Sequence, residues 1–301
     1  MTRYLDRPPT LAEWAAQGSR VSINGRRLFV VDAGPTDTEA IVVLHGYPTC
    51  SYDYWRVLPD LSADRRVILH DHLGFGLSDK PRDYSYSLIQ QADMALALWQ
   101  SLGVRRAHLV AHDYGTSVAT EILDRCYHGD IGVDFATLTL CNGSVFIEMA
   151  KLRPAQKLLR DPLAGPFVAR LMNRGLFGRN LRALFAEPTQ LTDAELDTLW
   201  QAATTNGGRD VIPQVTGYLR ERETHGPRWA AALVHFDRPS LVLWGDEDPV
   251  AVPAIAERLA RELFAPTLTW LHGVGHYPML EAPEAWSDAV LDWLEAPGEE
   301  R

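Results

Sequence analysis

A carboxylate stands where an apolar, strand-like run turns into a helix-like one: Leu109 to Leu123 read LVAHDYGTSVATEIL, and Asp113 sits at the break. The residues two before and two after it, Ala111 and Gly115, are small. A sharp strand-to-helix turn requires this, since larger side chains there would collide with neighbouring backbone. Such a turn lifts its central side chain into a cleft at the carboxyl end of a sheet. It also sets that side chain at a helix N-terminus, where free N–H groups favour an anion. An ionised aspartate held in a cleft can act as a nucleophile on carbon. The competing account is a plain N-cap, which aspartate often provides.

Three further segments could share that cleft. LHGYPTCSYDYW starts at Leu44, and His45-Gly46-Tyr47-Pro48 would turn the Tyr47 N–H toward it. HDHLGFGLSD, from His70 to Asp79, carries Asp71, Gly74, Gly76 and Ser78, but Gly74-Phe75-Gly76 lacks the third glycine of a dinucleotide fingerprint. Near the C-terminus, WGDEDPV (Trp244 to Val250) holds Asp246 and Asp248, and GVGHYPMLEAPE (Gly273 to Glu284) holds His276. Order, spacing and strand-end placement agree across the four motifs.

The elements that must carry these residues follow from hydrophobic patterning. Arg20 to Asp32 give two strand-like runs joined by Asn24-Gly25, a two-residue hairpin signal because both residues tolerate positive φ. AIVVLHG, RVILHD, AHLVAHD, ATLTLCN and SLVLWGD are apolar runs and TLTWLHG alternates, with helix-length stretches between them. Strands apolar on both faces suit a parallel sheet covered by helices, so an α/β fold is expected, mostly parallel with antiparallel strands at its N-terminus. Residues 143–235 have another texture: they read as amphipathic helices without a convincing strand. The expected organisation is one core domain, 1–142 with 236–301, interrupted by a helical cap over 143–235. The last residues, APGEER, are of low complexity.

Composition narrows the function. With 46% hydrophobic and 23% charged residues the 301-residue chain is ordinary globular material, and its net charge of -10 argues against a nucleic-acid partner, which needs clustered cations. A small-molecule, apolar substrate is the better expectation. Cys50, Cys126 and Cys141 are too few and too scattered for a disulfide framework or a zinc site, which fits a reducing cytoplasm. No run of about 18 apolar residues occurs, so no signal peptide, membrane span or membrane partner is expected. Monomer and homodimer are both compatible with this composition.

From about Arg20 to Leu294 the chain resembles the α/β-hydrolase family, whose elbow is usually Gly-x-nucleophile-x-Gly; Ala111 replaces the first glycine and keeps its small size. Aspartate at the nucleophile position, with His45-Gly46-x-Pro48 and His112-Asp113, resembles the epoxide hydrolase and haloalkane dehalogenase branch. This resemblance implies Asp113 as nucleophile, His276 as base, Asp248 as the acid that orients it, and the backbone N–H groups of Tyr47 and Tyr114 as oxyanion hole. It implies no metal and no organic cofactor. Asp246 then braces its turn, and His45 and His112 brace the cleft, while His70 and His72 have no evident role.

Epoxide hydrolases typically use two cap tyrosines on the epoxide oxygen, and this chain offers Tyr218, with His225 seven positions later as a second donor. Dehalogenases hold the halide with a Trp after the nucleophile and a second Trp or Asn. Here Tyr114 and Tyr47 stand at those places, leaving Trp200 and Trp229 as cap N–H donors. Epoxide hydrolysis is therefore expected ahead of dehalogenation. Fluoroacetate dehalogenase chemistry is disfavoured because the elbow lacks arginines. SYDYW, ELDTLWQAATTNGG and VTGYLRERETHGPRWAAAL also resemble a little-characterised subgroup that includes the mesoderm-specific transcript protein, whose member would be a ligand-binding protein or a slow hydrolase.

Overall fold

The computed structural model describes residues 7–129, 131–143 and 145–295; the APGEER tail lies outside them. Eight strands form one sheet: β1 Ser19–Ile23, β2 Arg26–Ala33, β3 Ala40–Leu44, β4 Arg66–His70, β5 Arg106–His112, β6 Asp134–Cys141, β7 Ser240–Gly245 and β8 Pro266–Leu271. Their order across the sheet is β1-β2-β4-β3-β5-β6-β7-β8. β1 pairs antiparallel with β2, and β2 with β4; every other pair is parallel. The opening hairpin turns on Asn24 (φ 49°) and Gly25 (φ 75°), as its sequence requires.

The apolar strands are explained by what covers each face. Along β3, Ala40, Val42 and Leu44 pack into one core cluster and Ile41 and Val43 into another, so both sides of the pleat are buried. Ile41, Val42, Val43 and Leu44 each contribute about 1.5–3 kcal/mol by leaving water. The first cluster rests on the helices Leu88–Ser101 and Tyr114–His128, the second partly on Pro283–Glu295.

Between β6 and β7 the elements are helical only, among the described residues: Pro154–Leu159, Ala164–Leu171, Arg174–Arg182, Asp193–Thr204, Gly208–Val215 and Tyr218–His235, with short 3-10 turns. The sequence TDAE starts the fourth of these with a capping box, Thr192 and Glu195 bonding each other's backbone N–H groups. The same fully buried Glu195 carboxylate accepts from Trp55 Nε1 at 3.0 Å and Arg56 Nη2 at 2.8 Å. One residue of the insert thus fastens it to the loop that follows β3. Among the described residues no helix is long and apolar enough to cross a membrane.

Candidate active site

Parallel strands deliver their carboxyl ends to one edge of the sheet, and Asp113, Asp248 and His276 follow three of those ends. Asp113 follows β5 directly, with φ 42° and ψ -106°, a conformation that costs about 1–3 kcal/mol for a residue with a Cβ. The strain is enforced by close packing: a Cβ on Gly115 would stand 2.3 Å from the Leu44 carbonyl oxygen, and one on Gly143 would stand 2.4 Å from the Asp113 Cα. Ala111 is buried inside β5 opposite Leu44, where its methyl fits.

The N-cap account of Asp113 fails on geometry. It occupies the N-cap position of Tyr114–His128, yet its side chain makes no capping bond. Its Oδ2 instead accepts from the Tyr47 N–H at 3.0 Å. Tyr114 is the first residue of the helix, where an N–H has no partner within the helix.

His276 follows β8, is 2% exposed, and has Nδ1 2.7 Å from Asp248 Oδ2. Asp248 accepts three more bonds, from Val250 N at 2.7 Å, Ala251 N at 2.9 Å and Asn142 Nδ2 at 2.8 Å. Burial alone would depress the His276 imidazole. The charge of Asp248, their hydrogen bond and the charge of Asp113 outweigh it and raise His276 to about 9. Asp246 points elsewhere, holding the exposed His272 at 2.7 Å and the Gly273 N–H at 2.8 Å, which is the bracing role its turn suggested.

The histidine loop has its own scaffold. His112 Nε2 donates to the His276 carbonyl at 2.7 Å, and the His276 N–H donates to the Leu184 carbonyl at 2.9 Å. The Glu281 carboxylate collects the N–H groups of Ala186, Gly275 and Tyr277. Sequence reasoning missed Glu281, Asn142 and Gly143. The nearest signal was position alone, at the ends of the last loop and of β6.

Asp113 and His276 line one cavity with Tyr47, Phe75, Leu159, Met172, Phe177, Leu181, Ile212, Val215 and Val250; its polar cap groups are Arg153, Gln156 and Asn180. None of the four cap residues expected to meet the leaving group lines it. Tyr218 is 1% exposed, wedged between the rings of Tyr47 and Tyr114, and its hydroxyl accepts from Gln156 Nε2 at 3.2 Å. It touches the cavity-lining Tyr47 and Gln156 without itself lining the cavity. His225 turns toward Trp229 on its own helix, and Trp229 Nε1 donates to Glu121 at 2.8 Å within the core. Trp200 packs on Phe177 and under Arg209.

A buried cation also went unforeseen. Arg222, 5% exposed, donates from Nη2 to the Asp113 carbonyl at 3.0 Å and from Nε to Ser117 Oγ at 2.7 Å, with Nη2 3.9 Å from Asp113 Oδ1. Among the described residues no group of three or more His, Cys, Asp or Glu is arranged to hold a metal ion.

Four further histidines make stability acid-sensitive. His45, His70, His72 and His112 are at most 1% exposed, and burial lowers all four: His45 and His112 to about 4, His70 to about 3, His72 well below its usual value. The unfolded chain binds these protons near pH 6.5 while the folded one refuses them. Stability should therefore fall as pH drops from about 6.5 toward 4, by up to about 1.4 kcal/mol per pH unit for each histidine. His276 has the opposite sign, since its contribution is present below pH 6.5 and lost as pH rises through about 9. Urea unfolding at pH 5 and 6.5 checks this; greater stability at pH 5 would contradict it.

Residues 39–283 match the family described as alpha/beta hydrolase fold. The chain is similar, at 38% identity over 286 residues, to the putative hydrolase LipZ of Mycobacterium tuberculosis, covering 95% of this chain and 98% of that protein. It is 35% identical over 295 residues to the mesoderm-specific transcript homolog protein of Bos taurus, covering 95% and 88%. A haloalkane dehalogenase of Mycobacterium marinum is 35% identical over 235 residues, covering 74% and 73%. The chain belongs to the alpha/beta hydrolase fold family, the fold and kinship its sequence had suggested.

Proposed function

We propose that this alpha/beta hydrolase is a cofactor-independent enzyme that opens apolar epoxides through an ester on Asp113, beneath a cap formed by residues 143–235. One observation carries the reading: a carboxylate, not a hydroxyl, occupies the strained turn, with one oxygen on the Tyr47 N–H and an apolar cavity shared with His276.

Asp113 Oδ1 attacks a ring carbon, the C–O bond breaks, and the electron pair passes to the epoxide oxygen, which takes a proton. That proton is assigned to His276, which lines the cavity and is charged below about pH 9. Forming the ester cancels the Asp113 charge, one of the causes that hold His276 protonated, so the imidazole is left as a neutral base. It removes a proton from water as the water oxygen attacks the Asp113 carbonyl carbon, and the oxyanion forms where the Tyr47 and Tyr114 N–H groups converge.

Halide displacement is the second reading, favoured by the dehalogenase relative. Against it, no Trp lines the cavity among the described residues, and the Trp55 and Trp229 indoles are committed to Glu195 and Glu121. A ligand-binding or slow hydrolase of the mesoderm-specific transcript kind is the third.

Asp113→Ala should lose all turnover of epoxides and alkyl halides; substantial residual turnover would refute the nucleophile. In the wild type, ester formation from an epoxide should fall above about pH 9, because its oxygen needs the His276 proton. Formation from an alkyl halide needs no proton and should not. Equal profiles would remove His276 as the acid.

A further inference from the structure

Resting on the ester mechanism above, the two oxygens of Asp113 have different neighbours. Oδ2 accepts the Tyr47 N–H at 3.0 Å, whereas Oδ1 faces Arg222 Nη2 at 3.9 Å. The guanidinium is fixed from three sides: Ser117 Oγ at 2.7 Å from Nε, the Asp113 carbonyl at 3.0 Å from Nη2, and the Tyr218 ring 4.7 Å below its central carbon. Its helix, Tyr218–His235, is tied along Tyr114–His128 by Arg228 to Glu121 and Asp124 and by Trp229 to Glu121. Among the described residues, Asp113 is the carboxylate within ion-pairing distance of this buried cation.

Burying a guanidinium at 5% exposure is unfavourable unless its charge is used, and hydrogen bonds to a carbonyl and a hydroxyl need only neutral donors. Compared with an amide side chain, Arg222 adds reach, the stack on the Tyr218 ring and a permanent charge. It acts on the oxygen that Tyr47 leaves free.

We infer that Arg222 is a further catalytic residue, a fixed cation that stabilises Asp113 Oδ1 when the ester breaks. In attack, Oδ1 bonds to substrate carbon and becomes the bridging oxygen of the ester. In hydrolysis, water adds to Cγ and gives its proton to His276, and negative charge gathers on Oδ2. Collapse then breaks Cγ–Oδ1, and the electron pair departs on Oδ1 as the product alkoxide, which recovers the proton from His276. Asp113 keeps the water oxygen and passes the second water proton to His276, which restores the carboxylate and the charged imidazole for the next turnover. A cation beside Oδ1 opposes the first step slightly, because it stabilises the attacking anion, and favours the last, because it stabilises the leaving one. The effect is therefore one-sided, which a packing role is not.

The test compares wild type, Arg222→Gln and Arg222→Lys by rapid quench and intact-protein mass spectrometry, using an epoxide that labels the His276→Ala protein. Gln keeps an N–H donor without the charge; Lys keeps the charge. Arg222→Gln should accumulate the ester, its decay slowed about 100-fold while formation stays within about threefold. Arg222→Lys should restore most of the decay rate. Decay unchanged in Arg222→Gln overturns the inference, as do formation and decay falling together in both variants, the signature of lost packing. If no epoxide or halide labels His276→Ala at all, the ester reading itself fails, a result separate from either.

Discussion

His276→Ala should react once with substrate and stop. The variant keeps Asp113 on its strained turn with Oδ2 on Tyr47, since neither contact involves the imidazole. What it loses is the only cavity-lining group, among the described residues, able to take a proton from water near neutral pH and return it. Turnover should fall by at least about 10⁴-fold, the scale set by removing the base from a comparable constellation. The ester should persist long enough to weigh. An epoxide adds its whole mass to Asp113, a halide its mass less that of the hydrogen halide, so pools of each separate the two chemistries. Since the proposed opening of an epoxide draws on the His276 proton, labelling by epoxides should be slower than in wild type and labelling by halides should not. Turnover within about tenfold of wild type, or a label on another residue, would overthrow the scheme.

Asp248→Asn should be nearly as severe, and Asp246→Asn nearly silent. Asp248 is buried and takes four donors, with Oδ2 shared between His276 and Asn142. An asparagine retains one acceptor and turns the other into a donor or a misplaced neutral oxygen. The imidazole then loses both its tautomer and the principal charge that raises it toward 9. A loss of about 10⁴ in kcat is expected, with the titration of His276 displaced to lower pH. Asp246 serves an exposed histidine and a turn N–H, so its amide should stay within about threefold of wild type. Steady-state kinetics of the two variants side by side decides it; a larger effect at Asp246 would reassign the acid.

What could be read from the sequence was what local pattern dictates. The hairpin at Asn24-Gly25, the strand runs and the break at Asp113 each depend on a few adjacent residues, and the structure has them where the pattern puts them. The insert was legible as helical for the same reason. Its inward faces were not, because the rotation of a helix about its axis is set by tertiary packing. Tyr218 and His225 share a helix, yet one is sealed under the elbow and the other lies against Trp229. Arg222 stands in RERE, which by itself reads as a solvated face. It is buried because Ser117 and Asp113 present a hydroxyl and a carbonyl across the gap, information held more than a hundred residues away. Gly143 and Glu281 were invisible in the same way, since their importance lies in what their neighbours would strike or lose.

The tie between the last loop and residues 184–186 couples the insert to His276. Leu184 holds the backbone of His276 and Ala186 holds Glu281, so that stretch of the insert is tied directly to the loop that carries the imidazole. A substitution that displaces it is expected to disturb the seat of His276 on Asp248 as well. Elsewhere the cavity meets the insert and the loop bearing Phe75 through side chains such as Leu159 and Met172, so a change there need not travel through the backbone of the histidine.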